Sequence, residues 1–502
     1  MKKNANYDVI IIGSGMGGLS AGALLTKSGF RVLILEAALH PGGCSSSYPR
    51  KGYVFESGAT TLIGFDENQP LRKLEDETGI EIPRVELNPS MKVWIDGEPI
   101  TRYKNKFEWI EEVVRVFGNR KGQKKFWNLA FDLSDVVWKV SLKNPTFPPL
   151  NLTDWLKLAT SNSIADVWVL KYAFKSVKEI AKKCGVDTPK FLRFLDEQLM
   201  ITSQAKSEET PFLFGAPGLT YTNYSNYYVP GGLIQMINTI REYIENKGGA
   251  LHTKEAVVNV SKAGDQFLVK TKKDKSYVAP IVVSNIPIWN MKDLTNGEIK
   301  KYFKKESKGF DKAWGAITMG IATTDTYPDN LGIHHQIHLE EGMTVPYTYS
   351  KSIFISMSSR EDEKRAPDGE RTLNISCHAS PETWFGMDEE EYENNKQEVQ
   401  EFILSTLKEK LRGFAEAEIK LADTATPVSW ENWVYRKKGR VGGIPQSMAR
   451  SLLNWTPNQT PFKGLYLVGD TTYPGQGIPG VTLSGINVYY RILKNHQKLV
   501  LH

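Results

Sequence analysis

Residues 7–36 read YDVIIIGSGMGGLSAGALLTKSGFRVLILE, and their order decides the fold class. An apolar run from Val9 to Ile12 ends at Gly13; Leu19, Ala23 and Leu24 then recur at helical spacing as far as Gly29, and Arg31 to Leu35 reads as a second buried strand ending in Glu36. Strand, glycine turn, helix and strand make one βαβ unit, and runs without alternation suit parallel strands covered on both faces. The turn carries Gly13, Gly15 and Gly18 as G-x-G-x-x-G, with Ser14, Met16 and Gly17 between them. The first glycine permits the tight turn, the second lets backbone approach a pyrophosphate, and the third lets helix and strand pack closely. The helix start behind them offers unpaired N–H groups and a positive dipole end to an anion. Glu36, 18 residues past Gly18, stands where a carboxylate can accept both ribose hydroxyls, which turns a common triplet into a dinucleotide fingerprint.

That unit alone does not separate NAD from FAD. Near the other end, LYLV (465–468) is another buried-strand signal running into Gly469 and Asp470, and then a Gly/Pro-rich turn opens a helix from about Ile478. An acid at a strand end can sit beside a polyol or pyrophosphate, and the helix start adds N–H donors. Such late contacts suit FAD, which is longer than the first unit can hold.

The 502 residues, 40% hydrophobic and 24% charged, allow one or two domains with sizeable cores and argue against a disordered, collagen-like or coiled-coil chain. Three cysteines, Cys44, Cys184 and Cys377, are too few for a disulfide framework or a four-cysteine zinc site; they suit a reducing, cytoplasmic setting. The apolar run before Gly13 is too short for a signal-peptide core, and no window approaches the roughly 18 apolar residues of a spanning helix. Net charge is +6, yet residues 101–190 alone hold 17 Lys and Arg against 9 Asp and Glu, together with Trp109, Trp127, Trp138, Trp155 and Trp168. Lysines attract anionic headgroups and tryptophan favours the interface, so peripheral attachment to a membrane through 101–190 is the expectation; a solvated charged face over a tryptophan core fits equally. No nucleic-acid module is present. His334, His335 and His338 lack a carboxylate or cysteine at ligand spacing, so no metal is expected and a solvated loop is.

By segment, the α/β chain divides into a dinucleotide-binding domain built from 1–100, 206–290 and 446–502, a mainly helical cap or membrane-facing segment at 101–205, and an antiparallel-sheet substrate domain at 291–445. Helical periods include FEWIEEVVRVF, FWNLAFDLSDVVWKV and IADVWVLKYAFKSVKEIAKKCG; strand patterns include SYVAPIVVSN, WGAITMGIAT, SIFISMSS and TLNISCH, the last three expected beneath the charged helix DEEEYENNKQEVQEFILSTLKEKLR.

The opening DVIIIGSGMGGLSAGALLTKSGFRVLILEAALHPGGCSSSYPRKGYVFESGATTL resembles the phytoene desaturase superfamily of flavoproteins, as do YLVGDTTYPGQGIPGVTLSG and the blocks YVPGGLIQMI, APIVVSNIPIW, APDGERTLNIS and TPVSWENWVYRKKGRVGGIPQS. The likeness spans nearly the whole chain. GGC after the first acid and GYVFESGATTLIGF look most like bacterial carotenoid 3,4-desaturases of the gamma-carotene desaturase type, with carotenoid isomerases and retinol saturases as neighbours. The resemblance implies a Rossmann-type FAD-binding domain of the glutathione reductase and amine oxidase kind. It implies FAD with its pyrophosphate on the Gly13–Gly18 turn and its adenosine ribose at Glu36 and Ala37. Gly42, Gly43, Cys44, Gly58, Ala59 and Thr60 would pass close to the cofactor, Val257 would meet the adenine through its backbone, Gly469 and Asp470 the ribityl-pyrophosphate region, and Gly477, Ile478, Pro479 and Val481 the isoalloxazine. The family commonly has an arginine where this chain has Cys44.

A carotenoid polyene has no acidic proton and no carbonyl to polarise, so removing two hydrogens calls for a hydride acceptor, which oxidised flavin supplies; the protein's part is positioning in an apolar tunnel. Phe212 to Gly232 and Trp430 to Tyr435 are candidate linings, and ordinary core fits them as well. No catalytic side chain is named. Besides a terminal 3,4-desaturase, a carotenoid isomerase or retinol saturase using reduced FAD, and a prenyl-lipid carrier on the same fold, stay open, as does the oligomeric state.

Overall fold

Five parallel strands, ordered Ala250–His252, Val32–Leu35, Val9–Ile12, Ile281–Ser284 and Leu465–Leu467, extend the opening βαβ unit into one sheet. The computed structural model describes residues 7–162, 168–450 and 454–496. Val9, Ile11, Val32 and Ile34 pack with the helices Met16–Lys27, Ile234–Asn246 and Ile478–Asn495, whereas Ile10, Ile12, Leu33 and Leu35 face a three-stranded antiparallel sheet. Both faces are covered, which is why these runs do not alternate. The stretch SYVAPIVVSN divides at Pro280: Ser276–Ala279 joins the three-stranded sheet and Ile281–Ser284 the parallel one. Proline has no N–H to donate to either ladder, so a strand boundary falls there naturally.

A second, seven-stranded sheet runs Ile419–Ala425, Gly315–Thr324, Glu370–Ala379, Ser352–Met357, His334–His338, Met91–Ile95 and Glu98–Arg102, antiparallel except between His334–His338 and Met91–Ile95. The sheet thus recruits chain from both sides of the helical segment. One face is apolar and packs beneath the helix Glu389–Lys410 through Val399, Ile403 and Leu407. Asp388 caps that helix, and Glu389, Glu390 and Glu391 place negative charge at the positive end of its dipole.

The expected solvated loop at His334, His335 and His338 is instead a fully buried strand. Desolvation holds the imidazoles neutral, their pKa values pushed down to about 3, 4 and 3, and the His334 ring stacks on Phe354 at 5.9 Å. No metal-binding group of His, Cys, Asp and Glu occurs among the described residues.

The helical layer comprises Lys106–Phe117, Arg120–Lys143, Leu152–Ser161, Val177–Cys184, Pro189–Ser203 and Phe212–Thr220. The period IADVWVLKYAFKSVKEIAKKCG is not one helix: Trp168–Phe174 is 3₁₀, and Ser176 with Glu179 forms a capping box that starts a new helix at Val177; Ile164 to Val167 lie outside the described residues. Trp109 and Trp127 are core residues, edge to face at 5.0 Å, with the buried Arg102 guanidinium 4.3 Å from the Trp109 ring centroid. Of the five tryptophans, only Trp155 is exposed. No helix among the described residues is long and apolar enough to cross a membrane.

Candidate functional site

The parallel sheet ends in glycines whose geometry other residues could not copy. Gly13 has φ +92° and donates its N–H to the Leu35 carbonyl at 2.8 Å; a Cβ on Gly18 would stand 2.7 Å from the Gly13 carbonyl oxygen. Gly42, at φ +110°, forms a bridge to Gly15 and donates to the Ser14 carbonyl at 3.1 Å, drawing the second glycine pair against the first turn. Glu36 lies buried between them. Its carboxylate accepts from the Ser14 N–H at 2.8 Å, the Ser14 hydroxyl at 2.6 Å and the Ala38 N–H at 2.8 Å, which fixes its position while leaving lone pairs free.

The late chain closes the same space. Gly469, at φ +106°, follows the last parallel strand and receives its own anchor from Ser484 Oγ, which accepts its N–H at 3.1 Å. Asp470 pairs with Arg436 at 2.7 Å, and Gly477 with Pro479 opens the helix Ile478–Asn495. Arg436 also lies beside Cys44. Burial pushes the Cys44 thiol up, with Arg436 pulling the other way. A guanidinium thus stands at position 44 after all, delivered from a distant segment.

One cavity of about 1150 Å³ unites these features. Every residue expected at the cofactor lines it except Gly18, which sits beneath the turn as a packing glycine. Val257 begins the strand Val257–Ala263 at the cavity edge, and Gly58 is pressed against Trp430, 2.6 Å from where its Cβ would be. Away from the glycines the cavity passes between an apolar wall from the helical layer, including Val137, Leu158 and Leu213 with Phe147 from a connecting loop, and the second face of the seven-stranded sheet. Of the aromatic segments singled out as linings, Phe214, Tyr221, Trp430 and Tyr435 reach the cavity, whereas Phe212 is core.

A buried seam ties the hairpin of Ser47–Arg50 and Tyr53–Glu56, and the start of the helix Ile234–Asn246, to the seven-stranded sheet. Glu56 donates its N–H to Asn374 Oδ1 at 2.8 Å, accepts from Ser47 Oγ at 2.5 Å and from the Leu233 N–H, and pairs with Arg365 at 3.1 Å. Burial pushes its carboxyl up, opposed by Arg365.

Sequence reasoning missed two residues here. Asn285, directly after the strand Ile281–Ser284, lays its side chain across the glycine turn and accepts the Gly18 N–H at 3.0 Å; its signal was a second polar residue, after Ser284, at the end of a buried strand. Arg436 had no local signal, because its partners Asp470 and Cys44 lie far away in sequence.

The chain as a whole is similar to known proteins. The family model described as flavin containing amine oxidoreductase matches residues 16–493. A prolycopene isomerase, chloroplastic, from Daucus carota is 27% identical over 98% of this chain and 80% of that protein. A 4,4'-diapophytoene desaturase (4,4'-diapolycopene-forming) from Methylomonas sp is 24% identical over 94% of this chain and 92% of its own length. The crystal structure of an oxidoreductase from Methanosarcina mazei shares the fold with a TM-score of 0.61, at 20% identity over 96% of this chain and 100% of that one.

Proposed function

The chain belongs to the family of flavin containing amine oxidoreductases, and from that premise we propose that it is a carotenoid oxidoreductase whose own step is desaturation of a polyene at a terminal 3,4 position. Its cofactor is FAD. In this reading the Gly13–Gly18 turn and the helix start behind it hold the pyrophosphate, Glu36 the adenosine ribose, Gly469 and Asp470 the ribityl region, and Gly477 to Val481 the ring system. The cradle fits such a group: its glycines leave room that a Cβ would fill, and Glu36 is already fixed by three donors. FAD, when bound, supplies hydride acceptance. The chain's own part is to exclude water and to hold a rigid apolar molecule in one register along the helical wall. The observation that carries the reading is the continuity of the glycine cradle with a long, largely apolar cavity.

Expression in cells making lycopene or γ-carotene, followed by pigment chromatography, tests it. A product two hydrogens lighter is expected, from the hydrocarbon or from its terminal alcohol or aldehyde supplied alongside; unchanged pigments in every case overturn the reading.

A second reading is favoured by the prolycopene isomerase likeness, which exceeds that to the desaturase: cis–trans isomerisation with reduced FAD, a chemistry neighbouring that of retinol saturases. Anaerobic mixing separates the two. Bleaching of the flavin with a red-shifted polyene supports desaturation, and a changed isomer ratio with pre-reduced flavin supports isomerisation. A prenyl-lipid carrier has no use for an intact flavin cradle, and membership of an oxidoreductase family leaves it without support.

The substrate class also supports attachment to a membrane surface at the cavity mouth. Trp155 and Leu170 line the cavity and are exposed outside it, beside exposed Leu152, Leu156 and Phe174 and the lysines Lys157 and Lys171. Attachment therefore falls on the helix Leu152–Ser161 and its neighbour rather than on the whole of 101–190. Binding to anionic vesicles should drop at least fivefold in L152S/L156S/F174S; unchanged co-sedimentation overturns this placement.

A further inference from the structure

The two faces of the seven-stranded sheet differ in kind. Facing the helix Glu389–Lys410 are Ile317, Met319, Ile353, Ile355, Leu373 and Ile375. Residues one step along each strand point the other way, and these are Thr318, Phe354, Ser376, His378 and Gln336, all lining the cavity. Cross-strand register sets four of them in one transverse row: Thr318 opposite Ser376, Ser376 opposite Phe354, and Phe354 opposite Gln336. A hydrocarbon tunnel would be expected to carry aliphatic residues at these positions.

The polar groups of this wall fall into two sets. Gln336 and Ser352 are occupied: Gln198 Nε2 donates to Gln336 Oε1, Gln336 Nε2 donates to Ser352 Oγ at 3.0 Å, and Ser352 Oγ donates to Glu197 at 2.6 Å. Thr318 Oγ1, Ser376 Oγ and both imidazole nitrogens of His378 have no hydrogen-bond partner among the described residues. Ala316, opposite His378, is small and leaves the imidazole room. A hydrocarbon laid on this wall would strip water from three polar side chains and return no partner.

We propose that the substrate carries an oxygen substituent, a hydroxyl or carbonyl, which docks on His378, Ser376 and Thr318. This rests on the reading of the cavity as a polyene site and adds the polar group that the polyene bears. Burial pushes the His378 pKa down to about 4, so the ring is neutral and offers one N–H donor and one acceptor, the pair that a hydroxyl needs. A carbonyl would use the donors alone.

The test uses the purified holoenzyme and three polyenes of equal length: an acyclic hydrocarbon, its terminal alcohol and its terminal aldehyde. Binding is read by quenching of tryptophan fluorescence, since Trp138 and Trp155 line the cavity. The alcohol or the aldehyde should bind at least tenfold more tightly than the hydrocarbon, and whichever leads identifies the oxygen group. His378→Phe, and separately T318V/S376A, should reduce that preference at least threefold, with hydrocarbon affinity rising as the desolvation cost is removed and flavin content unchanged. Equal affinities for all three polyenes, or a preference untouched in both variants, overturn the proposal and leave the polyene reading standing. Failure to bind any polyene removes both.

Discussion

On the function proposed, the two sheets of this molecule would meet ligands in opposite ways. In the parallel sheet, Val9–Ile12 and Val32–Leu35 are buried on both faces, so the site forms off the strand ends, from backbone presented by glycines and helix starts. In the seven-stranded sheet one face is given to core and the other, a row of side chains, forms a cavity wall. A ligand gripped by backbone demands glycine at fixed spacing and tolerates almost no substitution. A ligand gripped by side chains leaves the backbone alone, so that wall can change its chemistry without endangering the fold.

The hardest test of that contrast is Gly18→Val. Its side chain would collide with the Gly13 carbonyl, 2.7 Å from the first added carbon, and neither backbone can retreat. The protein should purify colourless, with flavin released by denaturant below a tenth per chain; near-stoichiometric flavin would break the contrast. Next comes the buried seam at Glu56, which holds a hairpin to the second sheet. Arg365→Met leaves Glu56 buried without its cation and should cost about 3–5 kcal/mol in urea unfolding, with E56Q/R365M recovering part of the loss.

Acid should act through the second sheet. His334 and His338 have folded pKa values near 3, below an unfolded value near 6.5. The unfolded chain therefore binds the extra protons, and the stability each neutral ring contributes is complete above about pH 6.5 and falls as pH drops toward the folded value, by about 1.4 kcal/mol per pH unit once well below 6.5. His334→Phe should flatten the decline between pH 5.5 and 4 by that amount, read from unfolding midpoints. Smallest are Ile10→Val and Ile353→Val, each fully buried in a different sheet: both should cost about 1 kcal/mol with flavin affinity unchanged. A marked difference between them would mean that the apolar faces are not equivalent.

The cofactor end was legible because its requirements are local. Gly13, Gly15, Gly18 and Glu36 sit within one βαβ unit, and Gly469 with Asp470 repeats the logic at a later strand end. The substrate end was legible only as alternation. HHQIH read as a polar loop because imidazoles count as hydrophilic until burial removes their charge, and for Trp109 and Trp127 interface and core fitted equally until the fold closed them around Arg102. Pro280, a strong local signal, was overlooked inside a longer β-like run.

By itself, the order of residues determined the sheet that carries the glycine cradle, the cofactor class and the helix that covers the second sheet, since strand burial, glycine turns and caps are contacts among near neighbours. Only the tertiary structure decided that Arg436 stands beside Cys44 and Asp470, that Asn285 caps the glycine turn, and that Thr318, Ser376 and His378 share one wall. Those pairings join residues tens to hundreds of positions apart, and their geometry exists only after the strands have chosen register and the apolar face of each has been buried.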